Sequence, residues 1–204
     1  MKLYITPGSP YARIVRIVLL EKRLEGRIEI VAAPTRLANS PYYRINPSGR
    51  VPYLLRDDGI GLEESSVICR YLDHLDDQPA FDPPGGASRD GTRADSPPRR
   101  AACWMASPLW LRELRRPHNE RSAVLLQHEA DRAARMADFW EAAIDHPAMH
   151  GALNLAQITL ACALGLEARN PDFQWRPGHP KLRDWFDPIA ARPSLAATAP
   201  PAGR

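Results

Sequence analysis

Asn46-Pro47-Ser48-Gly49-Arg50-Val51-Pro52-Tyr53-Leu54 is the stretch on which the fold turns. Pro47 and Gly49 interrupt whatever precedes them, and residues 51–55 are apolar enough for a short buried strand. Pro52 has no N–H to give a sheet ladder, so at a strand start it belongs on an edge or in a special turn. A cis Val51–Pro52 bond is one solution. It would turn the N–H and C=O of Val51 outward, where an extended peptide can pair with them as an added strand.

Downstream, Leu62-Glu63-Glu64-Ser65-Ser66-Val67-Ile68-Cys69-Arg70-Tyr71-Leu72 opens a helix whose apolar positions are Val67, Ile68, Tyr71 and Leu72. Ser65 or Ser66 is suited to cap it. A helix N-terminus binds anions through its free N–H groups, and Glu64 beside it can hold a cation. Together they suit a zwitterion with a carboxylate and an ammonium on one carbon. Glu63 is expected to face solvent.

Around these two segments the chain reads as strand 2–5, a turn, a helix from Pro10 to about residue 23 and a strand at 27–31. An irregular helix over 34–45 follows, then the Val51 strand, an Asp57-Asp58-Gly59 turn, a strand near 60–62 and the helix from Ser65. The order βαβ, irregular helix, ββα is a thioredoxin-like layout. The proline- and glycine-rich composition after it marks a boundary. We expect an α/β domain at 1–78, a linker at 79–97 and an all-helical domain at 98–204, with the nearly uniformly apolar 154–168 as its central helix.

Asn-Pro-x-Gly-x-Val-Pro-x-Leu followed by Glu-Ser-x-x-Ile-x-x-Tyr-Leu resembles the glutathione S-transferase family. The resemblance implies that the backbone of Val51, set by Pro52, pairs with the cysteinyl unit of glutathione, and that Glu64 and Ser65 take its γ-glutamyl end. Arg50 is a candidate for the ligand's carboxylates or a solvated loop charge; Arg13 and Arg36 are alternatives for the glycyl carboxylate. Ser9-Pro10-Tyr11-Ala12-Arg13 resembles the opening of the serine-type members, which makes Ser9 the catalytic candidate. One hydroxyl donating to sulfur at a helix N-terminus lowers a thiol pKa that is otherwise about 8.5. The plainer reading is that Ser9 only caps its helix. Tyr4 and Tyr11 are rival hydroxyls; Tyr4 reads as core or interdomain, while Tyr11, Trp104 and Trp110 are candidates for the wall of a hydrophobic substrate pocket. Asn154-Leu155-Ala156-Gln157 resembles a capping box but departs from the family, which usually has Ser or Thr and Asp there.

The expected activity is that of a transferase that ionises the glutathione thiol for attack on a small hydrophobic electrophile, in a detoxification role. The alternative is a non-catalytic glutathione-binding protein on the same fold. No cysteine lies near position 9, which argues against the thiol-transferase branch, and Cys69 reads as packing. The cysteines at 69, 103 and 162 form no CxxC or zinc spacing, and Pro147 interrupts the His146–His150 pair, so no metal or further cofactor is expected beyond glutathione as co-substrate. The net charge of +3 is too small to argue for nucleic acid, and no apolar run reaches the roughly 20 residues of a membrane span. With a strand from the second residue and no signal-peptide pattern, a cytoplasmic protein is expected; the resemblance implies a homodimer.

Overall fold

The computed structural model describes residues 1–76, 78–81, 107–170 and 172–200. The chain forms two compact units, Met1–Phe81 and Asp82–Arg204.

The first unit is a four-stranded sheet in the order β2-β1-β3-β4, with β1 at Lys2–Ile5, β2 at Glu29–Ala32, β3 at Tyr53–Leu55 and β4 at Gly61–Leu62. β1 runs parallel to β2 and antiparallel to β3, with Leu3 opposite both Ile30 and Leu54. α1, Pro10–Glu21, buries Ala12, Ile14, Val15, Ile17, Val18 and Leu19, and Pro10 sits in its first turn, where a missing N–H costs nothing. α2, Ser65–Asp73, packs beside α1 through Ile68, Cys69 and Leu72. This is the thioredoxin-like layout.

The differences from the sequence reading have local causes. The helix expected over 34–45 is only a 3-10 turn, Pro41–Arg44, because Arg36 (φ 63°) and Asn39 (φ 58°) take left-handed conformations that interrupt a helix. The second strand begins at Glu29, not at residue 27, and the third begins at Tyr53: the carbonyl of Arg50 is taken by side chains, and Pro52 cannot donate. At Gly61, where β4 meets β3, a Cβ would fall 1.7 Å from the Tyr53 hydroxyl, so the Tyr53 ring would have to shift to admit one.

A buried lysine closes the unit. Lys22 Nζ donates to the carbonyls of Asp73 (3.0 Å) and Gln78 (2.8 Å) and to the Asp76 carboxylate (2.7 Å). The Asp73 carboxylate accepts from the amides of Ala80 and Phe81, both at 2.9 Å.

In the second unit, α3 is described over Ser107–Leu114; the expected helical stretch 99–106, with Trp104 and Cys103, lies outside the described residues. α4 is Ala123–Ala143, α5 Leu155–Leu164, α6 Pro180–Ala190 and α7 Pro193–Ala197. Every residue of α5 from Ala156 onward is buried, Gln157 and Thr159 included, as expected of a nearly uniformly apolar helix. Asn154 caps it: Oδ1 accepts from the amides of Ala156 (3.0 Å) and Gln157 (3.1 Å), while Nδ2 donates to the carbonyl of Ala148 (2.7 Å). Trp175 and Trp185 donate their indole N–H groups to the carbonyls of Leu164 and Met149. Among the described residues, no helix is long and apolar enough to cross a membrane.

Candidate functional site

Strand register collects the candidate residues at one end of the sheet. Tyr53, the first residue of β3, lies opposite Tyr4 near the C-terminal end of β1, so residues 50–52 run beside the loop that leads to Ser9. Leu62 of β4 lies opposite Leu54, which carries Glu63, Glu64 and Ser65 back to the same end.

Ser9 is the N-cap of α1. Its half-buried Oγ accepts from the Ala12 amide at 3.2 Å. That bond occupies a lone pair and leaves the hydroxyl proton to donate, so capping and thiol activation are compatible. Tyr11 is half-buried in the first turn of α1, and Tyr4 is buried against the rings of Tyr42 (5.5 Å) and Tyr53 (6.2 Å).

The Val51–Pro52 peptide is cis. Among the described residues, neither the N–H nor the C=O of Val51 has a hydrogen-bond partner. The peptide before it is held firmly: the carbonyl of Arg50 accepts from the Tyr42 hydroxyl at 2.5 Å and from Asn46 Nδ2 at 3.1 Å. Burial pushes the Tyr42 phenol pKa up, against a smaller lowering by the Asn46 bond, so Tyr42 stays a neutral donor.

α2 differs from the sequence reading. Glu64, not a serine, occupies its N-cap, with φ 65° and ψ 119°, and no side chain caps the helix; Ser65 is its first residue. Its first N–H groups therefore remain available to an anion. A non-glycine residue held at positive φ is the kind of outlier that accompanies ligand-binding turns. Arg50 and Glu64 are both exposed, with Arg50 Nη1 3.8 Å from Glu64 Oε1. Across this turn an acidic and a basic side chain flank an open helix N-terminus, a set that suits a ligand carrying both charges.

Glu63 does not face solvent as expected. It is half-buried, and its Oε1 accepts from Asn46 Nδ2 at 2.5 Å and from the Ser48 hydroxyl in a short hydrogen bond. Tyr42, Asn46 and Glu63 are the residues that sequence reasoning missed. The Asn46-Pro47 pair that opens the loop was the available signal, since asparagine in that place turns the chain through its own side chain; Oδ1 accepts from Ser48 N–H at 3.1 Å.

The remaining candidates are dispersed. Arg13 is buried on α1, and Arg36 is exposed. Trp110 is buried in the helical unit, edge-on to Phe173 at 6.2 Å, and Trp104 lies outside the described residues. Cys69 and Cys162 are buried. His146 accepts from the Ala148 amide, and the ring of His150 bonds the Ile144 carbonyl. Among the described residues, no group of three or more histidines, cysteines or carboxylates could hold a metal ion.

Known proteins resemble the chain in sequence and in fold. Residues 3–80 match the family model described as glutathione S-transferase, N-terminal domain. The uncharacterized GST-like protein YibF of Escherichia coli (strain K12) is 29% identical over 204 residues, covering 98% of this chain and 99% of that protein. A glutathione transferase family member from Pseudomonas fluorescens Pf-5, solved with bound S-(propanoic acid)-glutathione, is 36% identical, with a TM-score of 0.80 and coverage of 99% of this chain and 100% of that one. A structure of a glutathione transferase family member from the same organism with bound glutathione gives 34% identity, a TM-score of 0.83 and coverage of 98% and 99%.

Proposed function

The chain belongs to the glutathione S-transferase family, and from that premise we propose that it is a glutathione transferase whose first unit binds and ionises the thiol. The observation that carries this reading is the unpaired backbone of Val51 at the same sheet end as the uncapped N-terminus of α2. The Val51 N–H and C=O pair with the cysteinyl C=O and N–H of glutathione. The γ-glutamyl carboxylate takes the first N–H groups of α2 at Ser65, and Glu64 takes the ammonium. Arg50, already beside Glu64, serves the ligand's carboxylates.

With the peptide so held, the sulfur lies toward Ser9. The Ser9 hydroxyl donates to it, and the N-terminus of α1 adds a favourable dipole, so the thiol loses its proton nearer neutral pH. The thiolate attacks an electrophilic carbon; a C–S bond forms and the leaving group departs with its electron pair. Tyr11, half-buried in the first turn of α1, serves the hydrophobic electrophile. The protein works in the cytoplasm as a homodimer in detoxification, as the family resemblance implies, with glutathione as its only small-molecule requirement beyond the electrophile.

The test is calorimetric titration of wild type and Ser9→Ala with glutathione, recording the ultraviolet thiolate absorbance of the bound ligand. Binding by both, with thiolate only in wild type, supports the reading. Binding by wild type without ionisation favours a non-catalytic glutathione-binding protein, and no binding refutes the proposal.

A further inference from the structure

The Arg50–Val51 peptide is trans, so its C=O and N–H point in opposite directions. Whatever draws the carbonyl inward therefore aims the Val51 N–H outward. Two donors draw it in, Tyr42 and Asn46, but the Asn46 amide can rotate, and either of its ends could face Arg50. Glu63 removes that freedom together with the Ser48 N–H, which donates to Asn46 Oδ1 at 3.1 Å. An ionised carboxylate only accepts, so its contact with Asn46 at 2.5 Å requires the NH2 end, and the second hydrogen of that NH2 is then left for the Arg50 carbonyl at 3.1 Å.

The same carboxylate acts on the other side of Arg50. The Ser48 hydroxyl donates its single proton to Glu63, which leaves a lone pair for the Arg50 N–H at 3.2 Å. One oxygen, at the junction of β4 and α2, thus fixes both the N–H and the C=O of the residue before Val51.

We propose that Glu63 is a positioning residue for glutathione, setting through Asn46 and Ser48 the direction in which Val51 presents its backbone to the cysteinyl unit. This rests on the glutathione reading given above. Glu63 has no part in ionising the thiol, which falls to Ser9 on a different loop. Its removal weakens binding and leaves the bound thiol as it was. The neighbouring Glu64 contacts the ligand itself, so the two adjacent acids have separable roles.

The experiment is calorimetric glutathione binding with thiolate absorbance at saturation, on wild type, Glu63→Ala, Glu63→Gln and Ser48→Ala, each checked for fold by circular dichroism. Glu63→Ala is expected to raise Kd roughly tenfold, the scale of one charge-assisted hydrogen bond. Glu63→Gln keeps an acceptor oxygen and is expected within about threefold of wild type. Ser48→Ala, at an exposed site that tolerates truncation, raises Kd by roughly threefold. The bound thiolate fraction is the same in all four. The proposal is overturned if Glu63→Ala binds as wild type does, if Glu63→Gln is as weak as Glu63→Ala, or if the bound thiolate falls in step with affinity. Should Glu63→Ala not fold, an unchanged Kd in Ser48→Ala overturns it. A wild type that does not bind glutathione overturns the underlying reading instead, and the two failures are told apart by that single control.

Discussion

Replacing Asn154 with aspartate should destabilise the helical unit, although aspartate is the better residue for a helix N-terminus in isolation. Asn154 is only 4% exposed and makes three bonds, two as acceptor from the first turn of α5 and one as donor to Ala148. Aspartate keeps the two accepted bonds and gains about 0.3–1 kcal/mol from its charge at the helix N-terminus. It also sets an acceptor against the Ala148 carbonyl, where the donor now stands at 2.7 Å. Leaving that buried carbonyl unsatisfied costs about 1–3 kcal/mol, before any penalty for burying the carboxylate. The balance is a net loss of about 1–2 kcal/mol. Serine, which caps but cannot reach back as a donor, should lose about 1 kcal/mol, and alanine, which loses both functions, about 2–4 kcal/mol. Urea unfolding read by tryptophan fluorescence reports on this unit, because all five tryptophans lie between positions 104 and 185. A loss of 2 kcal/mol moves the midpoint by about 1 M at unchanged slope. An aspartate variant as stable as wild type at neutral pH would show that the Ala148 bond contributes nothing, and the account of this cap would be wrong.

Ser9→Gly separates the two roles of Ser9: glycine is tolerated at an N-cap for a few tenths of a kcal/mol, against about 0.5–2 for alanine. Unfolding should therefore rank glycine above alanine, while both variants lose the bound thiolate; a glycine variant that still ionises the thiol removes Ser9 from the chemistry. Lys22→Met leaves the buried Asp73 carboxylate without its cation and should destabilise the first unit by about 2–4 kcal/mol in thermal unfolding followed by circular dichroism; an unchanged melting temperature refutes the closing role given to Lys22. Gly61→Ala drives a Cβ into the Tyr53 ring and should cost about 1–3 kcal/mol by the same measurement, with a wild-type melt as the contrary result. Hydrogen bonds from Lys22 and Lys181 hold the carboxyl pKa values of Asp76 and Asp145 below the ordinary carboxylate value. Their contribution is whole at neutral pH and is lost as the pH falls through those lowered values. Asp76→Asn and Asp145→Asn should accordingly flatten the acid limb of a stability–pH curve, and an unaltered limb in both would contradict this.

The strands and helices of the first unit were legible because their signals are local: Pro10 at a helix start, Asp57-Asp58-Gly59 between short strands, apolar runs at 14–20 and 67–72. The failures are also local in origin. In 34–45 nothing marks Arg36 for positive φ, and Asn39 carries only the weak signal that asparagine enters the left-handed region more readily than most residues. Ser65 and Ser66 carry the usual capping signal, yet the chain enters α2 one residue earlier, through Glu64. Glu63 was misread because a charged residue beside a second charge is ordinarily solvated. Its partners Asn46 and Ser48 lie 17 and 15 positions away, beyond any periodicity. The closing of residues 78–81 onto Asp73 was hidden for the same reason: the donors are backbone amides, which every residue has.

What could be read and what could not follows from how each group would be gripped. A ligand held through backbone requires particular φ and ψ values at a few positions, and these are met with proline, glycine and helix-terminal residues in fixed order, which leaves a mark in the sequence. Val51 illustrates the limit of that mark: its side chain is interchangeable with other apolar ones, so only its neighbours identify it. The residues that aim it, Tyr42, Asn46 and Glu63, are specified by shape and hydrogen-bond valence in three dimensions and leave a fainter trace. An apolar surface asks less still, only for side chains that any core would also use; Trp110, packed on Phe173, has the composition of a pocket wall and the environment of a core. A backbone-held ligand is for this reason more readily proposed from a single sequence than an apolar electrophile, which must be found by assay.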